Sequence, residues 1–210
     1  MALMHILEGK NMSVHIYYQS ISDIKIDDQL LSMLQPQRKK QLASLRFEED
    51  KKRCAAAGLL LWKHLYHEHP ENYSVSYNAC GKPSVLNAPF FNLSHSNELV
   101  MLAICDLPVG CDLEHVRKAV LSHHVFHPEE LSVLSSITPG NKRDFEFLRL
   151  WTAKEAFLKA IGTGISAKAN FFDLSKSDTI SLSDGTSWKL THYAIPNFPK
   201  YLSCTCHQLL

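Results

Sequence analysis

Leu107-Pro108-Val109-Gly110-Cys111-Asp112-Leu113-Glu114-His115-Val116 is an apolar run carrying two carboxylates two residues apart. Read as a strand, its alternation turns Asp112 and Glu114 to one face. Downstream stands Trp151-Thr152-Ala153-Lys154-Glu155-Ala156-Phe157-Leu158-Lys159-Ala160-Ile161-Gly162. On a helix, Trp151, Glu155, Lys159 and Gly162 share one stripe. Three carboxylates with a lysine one turn beyond the third suit Mg²⁺ and a diphosphate. Mg²⁺ takes oxygen ligands, often a few carboxylates with substrate phosphate oxygens and water. Blander readings stand beside this one. Asp112 and Glu114 could line the solvent edge of an amphipathic strand. Glu155 and Lys159 could form a routine surface pair worth about 0.2–0.5 kcal/mol. Trp151 on the same stripe argues against a fully solvated face.

A third stretch, Phe91-Asn92-Leu93-Ser94-His95-Ser96, invites a hydrolase reading. Adjacent strand residues point to opposite faces, so Ser94 and His95 do not pair easily as nucleophile and base. The chain has no G-x-S-x-G elbow. A buried, hydrogen-bonded histidine is the residue-level alternative.

In order and spacing, the three stretches together resemble a 4′-phosphopantetheinyl transferase of the Sfp type, from about Leu30 to Ile165. Such an enzyme moves the phosphopantetheine arm of coenzyme A onto a serine of a carrier protein. The resemblance implies an α+β fold of two pseudo-twofold-related halves, each a small antiparallel sheet packed with helices. The site would lie between them, and a monomer would suffice. The division falls near Asp106 to Pro108. Residues 1–106 would contact the nucleotide of coenzyme A, and residues 107–210 would carry the metal and catalytic residues.

The same resemblance assigns roles. Asp112, Glu114 and Glu155 would hold Mg²⁺, and Glu155 would also take the proton of the carrier serine. Some members have a third acid between the first two; here that position is Leu113, which leaves a coordination place to water or substrate oxygen. Lys159 would meet the diphosphate. Ser94 and His95 would contact a phosphate of coenzyme A. Arg53 would hold the 3′-phosphate, a task suited to a planar guanidinium, with Lys39 and Lys40 assisting. Lys82 and Pro83, in Gly81-Lys82-Pro83, would flank the adenine. By residues alone, the basic region Arg38, Lys39, Lys40, Arg46, Lys51, Lys52 and Arg53 is a solvated helix face. His123-His124-x-x-His127 has no distant partner that would make a zinc site. The resemblance puts carrier contacts there, on an exposed helix.

Bulk composition agrees with a soluble globular protein. The 210 residues allow one domain or two small ones, burying about 70% of the unfolded surface. Hydrophobic content is 45% and charged content 20%, both ordinary. A formal charge of +1 provides no global field for nucleic acid or membrane, so neither is an expected partner. The six cysteines form no C-x-x-C pair, and free thiols fit the cytoplasm. Cys204-Thr205-Cys206 reads as small buried residues of a strand rather than a metal pair. The start lacks a secretory pattern, and no run reaches the ~18–20 apolar residues of a membrane span.

Along the chain, Val14 to Tyr18 reads as an opening strand, with the first dozen residues an extension. Asp27 and Asp28 cap a helix interrupted by Pro36, and a second helix runs from Glu48 through His67 to a stop at Pro70. Strands are expected at Tyr73–Tyr77, Phe90–Leu93, Leu99–Cys105, Val109–Val116, Asn170–Leu174, Ser187–Ala194 and Tyr201–His207. Cys80 to Pro83 turns. Helices are expected at Pro128–Ser136 and Arg143–Ile161, the latter ended by Gly162 and Gly164.

The resulting expectation is a Mg²⁺-dependent transferase acting on coenzyme A and an acyl or peptidyl carrier protein, releasing adenosine 3′,5′-bisphosphate. Two rivals use the same residues. A phosphoesterase would hydrolyse coenzyme A with water, and a binding module would hold ligand without modifying any serine.

Overall fold

The computed structural model of this chain describes residues 3–9, 12–66, 73–164 and 169–210. They fall into two units, Met1–Asp106 and Leu107–Leu210. Each has its own antiparallel sheet and apolar core, and the class is α+β.

The first unit runs β1 (Leu3–Gly9), β2 (Met12–Ser20), α1 (Asp28–Met33), α2 (Pro36–Ser44), α3 (Glu48–Leu61), β3 (Val75–Tyr77), β4 (Pro83–Val85), β5 (Phe90–Ser96) and β6 (Leu99–Cys105). Its main sheet has the order β1-β2-β6-β5, and β3 pairs with β4 separately. β6 is buried at every position, which explains its uninterrupted apolar sequence. Ala55, Ala56, Leu60 and Leu61 of α3 pack in a core with Leu34, Phe91 and Leu102. Asp27 Oδ1 accepts from Leu30 N at 3.0 Å, the cap its position predicts. Pro36 opens α2, where its missing N–H costs nothing.

The second unit runs β7 (Val109–His115), α4 (Pro128–Ser136), α5 (Asn141–Ile161), β8 (Thr179–Ser181), β9 (Ser187–Ala194) and β10 (Tyr201–Gln208). Sheet order is β7-β10-β9-β8, and α5 lies against β7, β10 and β9. Gly110 makes the first of these contacts possible. A Cβ there would collide with the backbone of Ala156 and Ala160, so only glycine lets β7 lie this close to α5. Gly162 ends α5 in the left-handed region at φ 72°, its N–H returning to Leu158 O at 2.9 Å. Cys204 and Cys206 are fully buried on β10.

Several expectations need correction. The opening dozen residues are not merely an extension, because Leu3–Gly9 pairs antiparallel with Met12–Tyr18. The helix from Glu48 is α-helical only to Leu61 and continues as a π-turn over Trp62–Tyr66. His67 and Pro70 lie outside the described residues. Pro83 opens a short strand, and Thr179–Ser181 adds an edge strand that its three residues did not reveal. The segment Asn170–Leu174 is not a strand. Ala169–Phe171 forms a 3₁₀ turn, and the carbonyls of Ala169 and Phe172 accept from Lys154 while Leu174 N donates to Glu130. Side chains satisfy the groups a strand ladder would have used. The histidines before α4 form no helix: His123 and His124 lie in an exposed turn, and His127 is the N-cap of α4. Among the described residues, no helix is long and apolar enough to cross a membrane.

Candidate active site

β7 carries Asp112 and Glu114 toward α5, and the close approach at Gly110 brings the two elements within side-chain reach. Lys159 Nζ donates to Asp112 Oδ1 at 2.7 Å, forming an ion pair with the carboxylate 6% exposed and the lysine 29%. A buried carboxylate beside a cation is what the apolar setting of Asp112 demanded. Removing it strips Lys159 of this ion pair, so Asp112 supports the fold as well as any chemistry.

Glu155 is buried one turn before Lys159 on the same stripe. Burial, and then the charge of Asp112, push its carboxyl up to about 7; Lys159 opposes this and Glu114 adds to it. The sequence predicted that Asp112, Glu114, Glu155 and Lys159 share one site, and they do act on one another electrostatically. Burial pulls the Lys159 ammonium down, but the charges of Asp112, Cys111 and Glu155 and the bond to Asp112 outweigh it, leaving Lys159 above the ordinary lysine value. The lysine stays charged.

Glu114 is half-buried, with Arg117 Nη2 3.7 Å from Oε1. The Arg117 guanidinium lies over Trp151, 5.2 Å from the ring centroid, and over Phe147 at 5.8 Å. Trp151 is thus a platform for an arginine, a role its place on the stripe did not reveal. Sequence reasoning also passed over Lys154. Although next to Glu155, it is 1% exposed, and its ammonium binds Glu130 Oε2 at 2.9 Å. Burial holds that ammonium below the usual lysine range despite Glu130. The signal was present, since successive helix residues diverge by about 100° and Lys154 and Glu155 cannot face the same way.

Among the described residues, no group of three or more His, Cys, Asp or Glu is gathered as a metal cage. The donor chemistry nevertheless fits a hard divalent ion. Burial first, and then the charges of Asp112 and Glu114, hold Glu155 near 7, a condition a cation relieves. Mg²⁺ is ordinarily bound by one or two carboxylates plus substrate phosphates rather than by an all-protein cage.

The remaining candidates belong to the first unit. Arg53 Nη1 donates to Asn97 O at 2.8 Å, and Nη2 meets Asp50 Oδ1 at 2.7 Å, with Glu49 at 3.7 Å. Arg53 therefore braces α3 against the turn that follows Ser94 and His95. Ser94 is buried and His95 exposed, the opposite faces expected of neighbours on β5. Lys39 and Lys40 are exposed on α2. Lys82 and Pro83 follow a turn in which Asn78 Oδ1 accepts from Cys80 N at 3.0 Å and Lys82 N at 2.8 Å.

Residues 108–203 match the model of the 4′-phosphopantetheinyl transferase superfamily. The chain is 33% identical over 181 residues to the 4′-phosphopantetheinyl transferase gsp of Aneurinibacillus migulanus, covering 82% of this chain and 76% of that protein. The chain belongs to the 4′-phosphopantetheinyl transferase family, Sfp type. Other transferases of this family are similar to it as well. The psf-1 protein of Bacillus pumilus is 31% identical over 159 residues, covering 72% of this chain and 67% of that one. The Sfp protein of Bacillus subtilis (strain 168) is 26% identical over 155 residues, covering 70% and 69%. The matched superfamily segment contains every acidic residue of the site and Lys159.

Proposed function

We propose that this protein transfers the 4′-phosphopantetheine group of coenzyme A to a serine of an apo acyl or peptidyl carrier protein and releases adenosine 3′,5′-bisphosphate. Family membership supports the transfer. The observation that carries the mechanism is the buried Glu155 one turn before Lys159, whose ammonium pairs with Asp112. A carboxylate placed among charges that neutralise a diphosphate is positioned to accept a serine proton.

In this reading the serine oxygen attacks the β-phosphorus, on the pantetheine side of the diphosphate. A new P–O bond forms to serine, and the P–O bond to the nucleotide-side phosphate breaks. Glu155 takes the serine proton. Lys159, kept charged beside Asp112, would meet the phosphate oxygens of the diphosphate. Such transfers depend on positioning and charge neutralisation more than on covalent help. Asp112, Glu114 and Glu155 would hold Mg²⁺, which when bound offsets charge on the diphosphate. In the first unit, Arg53 would take the 3′-phosphate with Lys39 and Lys40, Ser94 and His95 another phosphate, and Lys82 and Pro83 the adenine. The protein would work as a cytoplasmic monomer.

The test is to incubate the protein with coenzyme A, Mg²⁺ and an apo carrier, then measure the intact mass of the carrier. A gain of one phosphopantetheine is expected, and chelation of the metal should abolish it. Hydrolysis of coenzyme A without a carrier would favour the phosphoesterase reading. Binding with neither reaction would leave a binding module.

A further inference from the structure

Each of the two β7 carboxylates has a basic side chain beside it, and the two pairs differ in kind. Lys159 Nζ lies 2.7 Å from Asp112 Oδ1, a direct hydrogen bond to a buried carboxylate. Arg117 Nη2 lies 3.7 Å from Glu114 Oε1, with the arginine side chain 47% exposed and the glutamate 24%. The first pair is short and shielded from water. The second is long, partly hydrated and easily broken, as exposed ion pairs are.

Arg117 keeps a place of its own when that second pair breaks. Val116 N donates to Lys200 O at 2.7 Å, which pins the backbone just beyond β7. From there the guanidinium reaches α5, 5.2 Å from the Trp151 ring centroid and 5.8 Å from that of Phe147. A planar guanidinium stacks on aromatic faces, and that attraction needs no carboxylate. Arg117 therefore has two anchors, one acidic and one aromatic, and can release the first while keeping the second. Any divalent cation drawn to Glu114 meets a like charge already beside that carboxylate.

We propose that Arg117 is a displaceable counter-ion of Glu114, which competes with the divalent cation and so sets how tightly the site takes it. Lys159, bonded to Asp112, is the fixed counter-ion of the same site. The inference rests on the reading of Glu114 as a metal ligand, and it concerns the cation alone, with neither coenzyme A nor carrier involved.

The test measures Mn²⁺ binding by the purified protein, without coenzyme A or carrier, from the electron paramagnetic resonance signal of the free ion. Mn²⁺ is the probe because, like Mg²⁺, it suits carboxylate and water ligands. Arg117→Gln removes the charge and keeps a polar side chain, at a half-exposed position outside the core of the unit. Its Kd for Mn²⁺ should fall about fivefold at low salt, the upper range for an exposed ion pair. That gain should fade at ~1 M KCl, where charges are screened within about 3 Å. Arg117→Lys keeps the charge, so its Kd should stay within about twofold of wild type. A Kd in Arg117→Gln equal to that of wild type overturns the proposal, and so does a higher one, which would make Arg117 a brace that presents Glu114. An equal gain in Arg117→Lys also overturns it, by placing the effect in the stacking rather than the charge. Wild-type protein that binds no Mn²⁺, or Glu114→Gln that binds it as tightly as wild type, removes Glu114 from the metal reading itself and takes the proposal with it. That result is distinct from an unchanged Kd in Arg117→Gln alone.

Discussion

At the scale of single residues, Glu155 and Arg53 separate chemistry from support. Glu155→Gln keeps shape and one coordinating oxygen but cannot accept a serine proton, so kcat should fall by ~10²-fold or more with little change in coenzyme A affinity. Rapid-quench transfer assays and calorimetry would read the two effects. If affinity collapses instead and excess Mg²⁺ restores the rate, Glu155 is a metal ligand only. Arg53 presents a sharper choice, because its guanidinium already binds Asp50 and the Asn97 carbonyl. A charge-assisted hydrogen bond is worth about 1.5–3 kcal/mol, so loss of the 3′-phosphate contact in Arg53→Ala should lower kcat/KM for coenzyme A by roughly 10- to 150-fold. Dephospho-coenzyme A lacks that phosphate and should be affected little. Equal losses on both substrates would make Arg53 a brace between α3 and the β5–β6 turn and nothing more. The proximity of Asp112, Glu155 and Lys159 was legible in the sequence because strand alternation and helix spacing decide which side chains share a face. The stacking of Arg117 on Trp151 and the Lys154–Glu130 pair were not, since each joins residues distant in sequence.

Elements follow the same logic. α5 was readable from its apolar periodicity and its glycine stop, and β6 from an unbroken apolar run, because long segments average out local noise. Short edge strands such as Thr179–Ser181 have too few residues to show a period, and residues 169–174 depart from strand because buried side chains capture their backbone. The β7–α5 contact is where an element-scale change should reach the site. Gly110→Ala places a methyl group into the backbone of Ala156 and Ala160, which must move for it to fit. Overpacking of this kind costs about 1–3 kcal/mol, here against rigid backbone. The denaturation midpoint should fall, and transfer should fall further than the unfolded fraction explains, as Asp112 and Lys159 separate. A Gly110→Ala protein with the wild-type midpoint and rate would show that β7 and α5 are not held as closely as described.

Over the whole molecule, two core clusters and two antiparallel sheets account for the near-even division of the chain at Asp106, which no Pro- or Ser-rich linker marks in the sequence. Composition could bound size and solubility, but it carried no information about which polar groups would be buried. His192 on β9 is half-buried. Its Nε2 lies 2.9 Å from Arg149 O, so the neutral ring's N–H donates a hydrogen bond to the carbonyl. Burial, together with the nearby Arg149 charge, keeps its pKa below the ordinary histidine value of 6.5. The unfolded chain therefore binds a proton at this position that the folded chain resists. That stability is fully present above pH 6.5 and is lost as the pH falls through 6.5 toward the depressed folded value. Glu155 contributes with the opposite sign between 4.5 and about 7, because its raised pKa makes the folded state take up a proton first. The wild-type profile alone mixes the two. His192→Gln keeps an N–H donor for Arg149 O but does not titrate, so subtracting its urea-unfolding profile isolates the histidine. Wild type should lose stability relative to this variant steadily below pH 6.5, with a constant difference above pH 7.5. A difference that is flat across the acid range would mean that His192 is as readily protonated folded as unfolded, and that its burial on β9 imposes no electrostatic penalty.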